Sequence, residues 1–364
     1  MLSMSNKLQK SVTLIGWGIL LLASIACVPL PPRKPSTESH PSAIVESSPP
    51  LSVPDRTFRG EHTDVRAVVI DATGHWMATA DVNGQITMWD FAQGTAVWTA
   101  KPQRADILSL AFRGDGKILV ASGGWNGVIT FWDVSTGQKI KTISTHQHAV
   151  HHVAFSPDDK TLASAGSDRS TNRGRPYGSV KLWDPDTGKE LRSMSVGLTS
   201  INALAFSPDG KILATGGDDK IVRLWNPETG KLQNTLSGYT EGVMTLAFRP
   251  DGLQLASGGG WGFGYHAVAG YKLWDLKTMS ALSEPSSNYA VSALAYRPDG
   301  RVLAIAGMDE TSRPFASVDF FSFDENRVVR HFIAHRGWIS AIVFTPDGKW
   351  LVSVGTDGGI RCWH

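Results

Sequence analysis

Short apolar runs separated by turns recur along this chain from about Phe58 to its last residue. The runs are rich in Val, Ile, Leu, Phe and Ala and lack the 3.6-residue period of an amphipathic helix, so they predict β-strands. A turn such as Pro208-Asp209-Gly210 separates the first two runs of each copy. Pro presets the first turn residue and Gly accepts a positive φ. With four runs in each copy, the pattern predicts an all-β protein built from four-stranded units.

One aromatic position, at the end of the third run, sets the repeat length. It is filled by Trp89, Trp132, Trp183, Trp225, Trp274, Phe321 and Trp363. Self-similarity at this period is typical of repeat architectures, and one four-stranded sheet cannot bury both of its faces alone. Seven sheets stacked radially can. The sequence therefore predicts a seven-bladed β-propeller of antiparallel four-stranded blades over residues 55–364, with blades one to seven in chain order.

The last copy holds three strands, and an extended stretch near residues 53–59 precedes the first copy without belonging to it. An open ring would leave two unpaired sheet edges, which are a liability in a soluble β-protein. We therefore expect the stretch near 53–59 to pair with the strand that ends at Trp363, as the fourth strand of blade seven.

The copies resemble the Trp-Asp (WD) repeat β-propeller family in an exported, lipoprotein form. Trp-Asp itself occurs four times, as in Trp89-Asp90 and Trp132-Asp133. The resemblance implies a hydrogen-bonded tetrad in each blade, made of a loop His, a Ser or Thr on the second strand, an Asp in the next turn, and the Trp. The matching residues are His62, Thr79, Asn83 (in the Asp place) and Trp89 in blade one, and His335, Ser353, Asp357 and Trp363 in blade seven.

Blade three offers His146, Ser164 and Trp183 for the same tetrad, with Asp168 displaced by an insertion. The other four blades lack the His. Ser, His and Asp in contact are also the parts of a nucleophile triad. Because the set recurs by blade and includes the Trp, we interpret it as a buried polar network whose groups must all be satisfied. The sequence thus assigns no catalytic residue, and no cofactor is predicted.

The first 26 residues have the composition of an export signal. Lys7 and Lys10 precede a largely apolar run over residues 12–26, which at about 15 residues is short for a membrane span. Residues 23–27, Ala-Ser-Ile-Ala-Cys, resemble a bacterial lipobox, which implies cleavage before Cys27 and a lipid on its sulfur. Plain cleavage after Ala26 and an uncleaved anchor remain open alternatives. Residues 27–54 are rich in Pro and Ser and are predicted to be a disordered linker.

This leader predicts an extracytoplasmic protein, in the periplasm or on the cell surface, anchored to a membrane through Cys27. It also changes the charge balance. The whole chain has 35 Lys and Arg against 33 Asp and Glu, and without Lys7 and Lys10 the two counts are equal. Proteins that bind nucleic acid show a strong basic excess or a basic stripe. Nucleic acid is therefore not a predicted partner.

Three copies are lengthened between the second and third strands, and these loops share the face that the family calls the top. The added or flanking residues include Arg169, Arg173, Arg175, Tyr177, Trp261, Phe263, Tyr265, His266, Arg313 and Phe315. Aromatic residues and Arg commonly anchor protein interfaces, so we predict that these loops bind a protein partner. The alternative is that the loops fold over one another and simply cover the top.

A second candidate is a ring of residues four positions before the end of each first strand. Its members are Arg66, Leu108, His151, Asn202, Met244, Ser292 and Ser340. Their mixed chemistry is expected at a channel mouth used for recognition, and equally at a half-exposed position that tolerates change. His146, His148, His151 and His152 form a His cluster, but His151 and His152 point to opposite sides of a strand, so no metal site is predicted.

These observations favour a non-catalytic scaffold that binds protein partners through its top face. Two alternatives belong to other classes. A carbohydrate or peptidoglycan binder would stack sugars on Trp261, Tyr265 and Tyr177. An extracytoplasmic propeller enzyme, such as a hydrolase, would use the top pocket, although the sequence offers it no catalytic pair of carboxylates and no nucleophile motif.

Overall fold

The computed structural model describes residues 51–58, 63–101, 106–124, 126–169, 176–197, 200–260, 270–283, 289–309 and 315–364. These residues form seven antiparallel sheets of four strands each, and no helix occurs among them. The innermost strand of each sheet contacts the innermost strand of the next, and the last of them, residues 339–344, contacts the first, residues 65–70. This cyclic contact order confirms the predicted seven-bladed propeller.

The strands follow the repeat in chain order, starting with one short strand that precedes blade one. They are β1 Arg56–Phe58; in blade one β2 Val65–Ile70, β3 Trp76–Asp81, β4 Ile86–Asp90 and β5 Thr95–Ala100; in blade two β6 Ser109–Phe112, β7 Ile118–Ser122, β8 Val128–Asp133 and β9 Lys139–Ser144; in blade three β10 Ala149–Phe155, β11 Leu162–Arg169, β12 Pro176–Trp183 and β13 Glu190–Gly197.

The remaining blades repeat the same order from the inner strand to the outer one. They are in blade four β14 Ile201–Phe206, β15 Leu213–Gly217, β16 Val222–Trp225 and β17 Leu232–Leu236; in blade five β18 Val243–Phe248, β19 Gln254–Gly259, β20 Tyr271–Asp275 and β21 Ser280–Ser283; in blade six β22 Tyr289–Tyr296, β23 Val302–Asp309, β24 Phe315–Ser322 and β25 Arg327–Arg336; in blade seven β26 Ile339–Phe344, β27 Leu351–Gly355 and β28 Ile360–Trp363.

The fourth strand of blade seven is β1, as the sequence predicts. Arg56 pairs with Cys362 and Phe58 with Ile360 in antiparallel register. The contact extends past this blade, because the Phe58 ring lies edge-on to Trp89 of blade one at 5.4 Å and stacks on Phe91 at 5.6 Å. The closing strand therefore joins the two ends of the ring by backbone pairing and by aromatic packing.

The same N-terminal segment also contacts blade six, and the repeat does not predict this contact. The Ser52 backbone N–H donates to the carbonyl of Ile333 on β25 at 3.0 Å, and the Ile333 N–H donates to the Ser52 hydroxyl at 3.2 Å. Three residues later, the Asp55 N–H donates to the Cys362 carbonyl at 3.0 Å. Residues 52–55 thus cover part of the free edge of blade six before β1 begins.

The core lies between blades rather than within them. Each of seven hydrophobic clusters contains residues of two neighbouring blades, and the aromatic marker of one blade packs against the preceding blade. Trp89 and Trp363 are each only 1% exposed. Burying such side chains stabilises a fold by several kcal/mol each. Because every blade depends on both neighbours, closing the ring protects all seven interfaces.

Candidate functional site: the channel mouth and the networks beneath it

The predicted ring at the channel mouth is a set of β-bulges. The register of the inner strand shifts at Arg66, His151, Asn202, Met244, Ser292 and Ser340, so that each of these residues has no partner directly across the ladder. Leu108 lies just before β6 at the equivalent position. A bulge bends its strand and redirects a side chain. All seven side chains are half-buried, while the Val or Ile before each of them is fully buried.

The ring is not uniform in chemistry. In blade one Arg66 pairs with Asp64 at 2.7 Å. Burial raises the pKa of the Asp64 carboxyl above its ordinary value, although Arg66 opposes this. Burial also lowers the pKa of His151, which favours its neutral form. Titratable groups therefore lie at the mouth in blades one and three.

Blades four and five are joined across the ring. The Asn202 amide donates to the Asp218 carboxylate at 2.7 Å and lies 3.5 Å from the sulfur of Met244 in the next blade. Ser292 and Ser340 follow in blades six and seven with small side chains. The mouth thus has charged or titratable groups in blades one, three and four, whereas the ring residues of blades five to seven are Met244, Ser292 and Ser340. This asymmetric surface is suited to recognising one orientation of a partner.

Beneath this mouth, blade seven holds a complete polar network. His335 lies 2.8 Å from Asp357 through Nδ1 and 2.8 Å from the Ser353 hydroxyl through Nε2. The Trp363 indole N–H donates to the same hydroxyl at 2.9 Å. Arg361 pairs with Asp357 at 2.9 Å. All four residues predicted for this tetrad are in contact.

The electrostatics of this network fix its protonation. Burial lowers the pKa of His335, despite the opposing effect of Asp357. Burial alone would raise the pKa of Asp357, but its hydrogen bonds with His335 and with the backbone amides of Arg336 and Gly359 hold that pKa far below its usual range. The folded state therefore holds a neutral imidazole beside an ionised carboxylate.

Blade three corrects the expectation that its insertion displaces Asp168 from the network. The insertion falls after Arg169, so Asp168 stays on β11 and is 2% exposed. The Ser179 hydroxyl donates to Asp168 at 2.6 Å and lies 3.0 Å from His146 Nδ1. His146 Nε2 lies 2.8 Å from Ser164, which accepts from Trp183 at 2.9 Å. The network is complete because a fifth residue, Ser179, enters it.

Blade one is described only in part, because His62 lies outside the described residues. The Trp89 indole N–H donates to Thr79 at 2.9 Å. The Asn83 amide donates to the Thr63 hydroxyl at 2.5 Å. Asn83 therefore reaches the loop beside His62, which is the loop from which the tetrad His would come.

The blades without the His satisfy their Trp in three other ways. In blade five the Tyr239 hydroxyl and the Trp274 indole both bond Ser257, at 2.5 and 2.6 Å, so Tyr239 takes the place of the His. In blade four Trp225 donates to Thr215 at 3.0 Å. In blade two Trp132 donates at 3.0 Å to Thr130 on its own strand. Aligning Tyr239 with His335 in the repeat would have revealed the first substitution.

These networks do not form a nucleophilic site. Ser353 and Ser164 are each 0% exposed, and each hydroxyl already lies against an indole N–H and an imidazole. A substrate carbonyl has no route to either oxygen, whereas an activated Ser must be reachable. No group of three or more His, Cys, Asp or Glu able to hold a metal occurs in the described part of the chain.

Most of the predicted top-face residues lie outside the described residues, namely Arg173, Arg175, Trp261, Phe263, Tyr265, His266 and Arg313. For Arg169 only the backbone is described, at the end of β11. Tyr177 is half-buried on β12. Phe315, by contrast, is 5% exposed, with the Arg336 guanidinium 5.9 Å from its ring. Phe315 therefore packs within blade six, and we leave it out of the candidate interface.

Cys27 and the rest of residues 1–50 also lie outside the described residues. In the part of the chain that is described, no helix has the length and apolarity needed to cross a membrane. The second cysteine, Cys362, is buried, and burial raises the pKa of its thiol to about 12. This thiol is therefore unreactive at neutral pH.

A known protein family matches this chain along the same repeats. The family model "WD domain, G-beta repeat" matches six segments, residues 52–90, 94–133, 137–172, 188–226, 230–262 and 326–364. Most of blade six lies outside these matches, in keeping with its Phe321 in the Trp position. The first segment begins at residue 52 and includes the closing strand.

Three relatives show how far the likeness extends. The chain is 27% identical to nuclear distribution protein PAC1 of Coccidioides posadasii over 185 residues, which cover 51% of this chain and 32% of the relative. It is 28% identical to human WD repeat-containing protein 36 over 92 residues, 25% of this chain and 10% of the relative. It is 40% identical to cilia- and flagella-associated protein 52 of Chlamydomonas reinhardtii over 73 residues, which cover 20% of this chain and 11% of the relative. The matched segments span about a third or less of these relatives.

Proposed function

The chain belongs to the WD40 repeat family, and on that premise we propose that it is an exported, lipid-anchored scaffold that binds protein partners through its top face. WD-repeat propellers bind protein partners. Binding of a partner at the top face, export and the lipid anchor go beyond this general property, and they are what the proposal adds. It is non-catalytic, because the Ser–His–Asp sets are buried structural networks.

One observation supports the channel-mouth ring as the binding surface. In every blade a fully buried Val or Ile is followed by a half-buried ring residue, and the chemistry of that second position varies among the blades. The fold constrains the first position by packing, whereas it leaves the second free to vary. A surface that is structurally uniform and chemically distinct at each of seven points is suited to specific recognition.

The test replaces ring residues without touching the core. We propose a double variant, Arg66→Ala with Met244→Ala, which removes a charged and an apolar contact from opposite sides of the mouth. The control is Leu253→Ser, at a residue that is 61% exposed next to the turn between β18 and β19, on the opposite face. Partners are captured from the native cells and quantified by mass spectrometry. Specific partners should be lost with the ring variant and kept with the control. Equal capture by both variants would exclude the ring from the interface.

The long loops belong to the same proposal. Trp261 and Arg175 represent the loops of blades five and three, and their joint replacement with Ala should weaken capture of the partner lost with the ring variant. The free energy of unfolding should remain unchanged, because loop residues contribute little to the packed core. If capture is unchanged, the loops only cover the top face and the interface is restricted to the ring.

Export and anchoring are tested at Cys27. The proposal predicts that the full chain incorporates a labelled fatty acid and fractionates with membranes, and that Cys27→Ser abolishes both. An uncleaved signal anchor would leave the variant on the membrane, and plain secretion would leave the wild type unlabelled. Either result would remove the anchor from the proposal while leaving the scaffold function intact.

A further inference from the structure

The outer strand of blade six, β25, is the most basic of the outer strands in the described part of the chain. Its first five residues, Arg327, Val328, Val329, Arg330 and His331, are all exposed. The strand also contains Arg336, and it contains no Asp or Glu. Successive side chains of a strand point to opposite faces, so five exposed residues in a row mean that both faces of β25 reach the surface here.

The other outer strands show that this charge is not a property of the position. β5, β17 and β21 contain no Lys or Arg, and β13 has one Arg beside one Glu. β9 comes nearest, with Lys139 and Lys141, but Lys141 already bonds the carbonyls of Pro185 and Asp186 in the next blade. Exposed aliphatic residues do occur on these strands, at Val97, Ile140, Leu191, Leu232 and Leu282. β25 is therefore distinguished by combining three Arg with exposed Val.

The three guanidinium groups of β25 are available to an anionic ligand. Arg327 pairs with Glu325, and the two side chains are 65% and 51% exposed. An exposed ion pair contributes little to stability, so Arg327 can exchange this partner for another anion. Arg330 and Arg336 lie over aromatic rings of their own blade, with the guanidinium carbon 5.0 and 5.9 Å from the ring centres. These contacts orient the two groups without neutralising them.

The N-terminal segment reaches the propeller at this same strand. The Ser52 N–H donates to the Ile333 carbonyl of β25 at 3.0 Å, and the Ile333 N–H donates to the Ser52 hydroxyl at 3.2 Å. The next residue, Val53, is 90% exposed. The chain that leads back to Cys27, the proposed site of the lipid, therefore joins the propeller beside the basic strand.

We propose that the outer edge of blade six, formed by residues 327–331 with Arg336 and Val53, lies against a membrane surface that contains anionic phospholipids. This orientation rests on the lipid anchor of the proposed function, because the anchor brings this edge to the membrane. The Arg side chains approach the lipid phosphates, and the exposed Val side chains reach the boundary between headgroups and acyl chains. The ring then stands on its edge, so that the channel mouth and the opposite face both remain open to partners.

A strand of another protein, or of a second copy of this chain, fits the same edge less well. The register of β25 shifts between its pairings with Phe320 and Phe321, which leaves Val329 in a bulge. A bulge on an outer strand hinders the addition of a further strand. Two β25 strands paired with each other would also bring their Arg residues together, and such like charges repel. A fluid anionic surface needs no strand register and matches the charge.

The test places a nitroxide label at one of two equivalent positions of the full chain, reconstituted on vesicles. Val329 and Ile140 occupy the same bulge in blades six and two and are 39% and 51% exposed. Each is replaced with Cys and labelled, whereas the native Cys362 is buried. Electron paramagnetic resonance then measures how accessible the label is to a water-soluble nickel complex. The vesicles contain phosphatidylcholine alone or phosphatidylcholine mixed with phosphatidylglycerol, which is anionic.

On the anionic vesicles, the accessibility of the label at position 329 should be at least about threefold lower than on phosphatidylcholine alone. The label at position 140 should be equally accessible on both. Arg327→Gln with Arg336→Gln, added to the chain labelled at position 329, should abolish the difference, and so should about 0.5 M salt, which screens the attraction. The matched control, Lys139→Gln with Arg192→Gln, removes two charges from the outer strands of blades two and three and should preserve it.

Three results would overturn the edge-on orientation and leave the anchor and the scaffold intact. They are equal accessibility at position 329 on the two kinds of vesicle, an equal loss at position 140, and full protection in the variant that lacks the two Arg. A chain that does not float with the vesicles would instead refute the anchor, and the orientation would fall with it. Because the first comparison uses one labelled protein on two lipid mixtures, a folding defect cannot produce the difference.

Discussion

Blades six and seven are neighbours with the same four strands, yet they are built from opposite chemistry. Blade seven encloses an imidazole, a hydroxyl, an indole and an ionised carboxylate, all hydrogen-bonded. In blade six the positions of Ser353 and Trp363 are taken by Ile305 and Phe321, which are 1% and 8% exposed and pack in an apolar cluster. The same backbone accepts either solution. The two blades show that a blade either gives its buried indole N–H an acceptor or replaces the Trp with an apolar ring.

The intermediate blades support this rule. Blade four lacks the His but keeps the Thr215–Trp225 bond. Blade two has Ala121 at the tetrad position of its second strand, and Thr130 of the third strand accepts from its Trp instead. In each case the indole N–H retains an acceptor. A buried donor without a partner costs about 1–3 kcal/mol, which is a large part of the stability of a typical domain.

The largest effect is expected from converting blade seven halfway toward blade six. Ser353→Ile should destabilise the propeller by about 4 kcal/mol, because His335 and Trp363 both lose their partner inside the core. The double variant Ser353→Ile with Trp363→Phe should cost less than the sum of the single changes by at least about 1 kcal/mol. Urea unfolding followed by circular dichroism measures both. If the losses in unfolding free energy of the two single variants add up to that of the double variant within about 0.5 kcal/mol, the Ser353–Trp363 hydrogen bond does not explain the difference between the blades.

A half-buried His of blade three offers a further test, because one of its ring nitrogens lies outside the described hydrogen bonds. His152 of blade three stands where blades six and seven have Ala293 and Ala341, and its Nδ1 is buried without a described hydrogen-bond partner. Burial lowers the pKa of His152 to about 4. The unfolded value is about 6.5, so stability is full above that pH and is lost as the pH falls toward 4, by about 3 kcal/mol in total.

His152→Ala should remove that part of the pH dependence, and thermal unfolding at a series of pH values between 7.5 and 4 measures it. Residual acid sensitivity should remain, because the lowered pKa values of His335 and Asp357 act in the same direction. The interpretation would be wrong if the wild type and the variant lost stability in parallel over this range.

A smaller effect is expected from moving blade six toward blade seven. Phe321→Trp alone should cost about 2 kcal/mol, because its indole N–H would face Ile305 rather than a hydroxyl. Adding Ile305→Ser supplies the acceptor and should recover about 1 kcal/mol, giving blade six the two-residue arrangement of blade four. Denaturation midpoints of the single and double variants test this. A double variant less stable than either single change would show that packing, rather than hydrogen bonding, decides this position.

The smallest effect concerns Tyr239, which replaces the His in blade five. Tyr239→Phe should cost about 1 kcal/mol, because the hydroxyl bonded to Ser257 at 2.5 Å is lost while the ring remains. Tyr239→His should cost less, since it restores the residue type that contacts Ser353 in blade seven. Thermal melting of the two variants compares them. A larger loss with His than with Phe would mean that the Tyr ring acts chiefly through packing.

Much of the fold could be predicted because its determinants are periodic. The aromatic marker and the turn residues recur in each blade, so the count of seven and the closure of blade seven by residues near 53–59 follow from the repeat. The tetrad in blade seven also lies at fixed spacing within one copy. Where a partner comes from outside that spacing, as Ser179 does for Asp168, the repeat alone gives no signal.

The candidate interfaces could likewise be predicted only in part from the repeat. The channel-mouth ring lies at a constant distance from the end of each first strand and could be found from the sequence, whereas the bulges that turn it outward became visible only in the strand register. Phe315 was predicted to face a partner, and the structure buries it, because the long β25 brings Arg336 over its ring.

By itself, the sequence determined the number of blades, the order of their strands and the apolar and aromatic positions that recur in each core, because turn residues and short apolar runs repeat in every copy. Only the tertiary structure decided which buried polar groups find partners and where residues 52–55 contact blade six. Those outcomes depend on contacts between neighbouring blades and between the two ends of the propeller, and such contacts have no fixed separation along the chain.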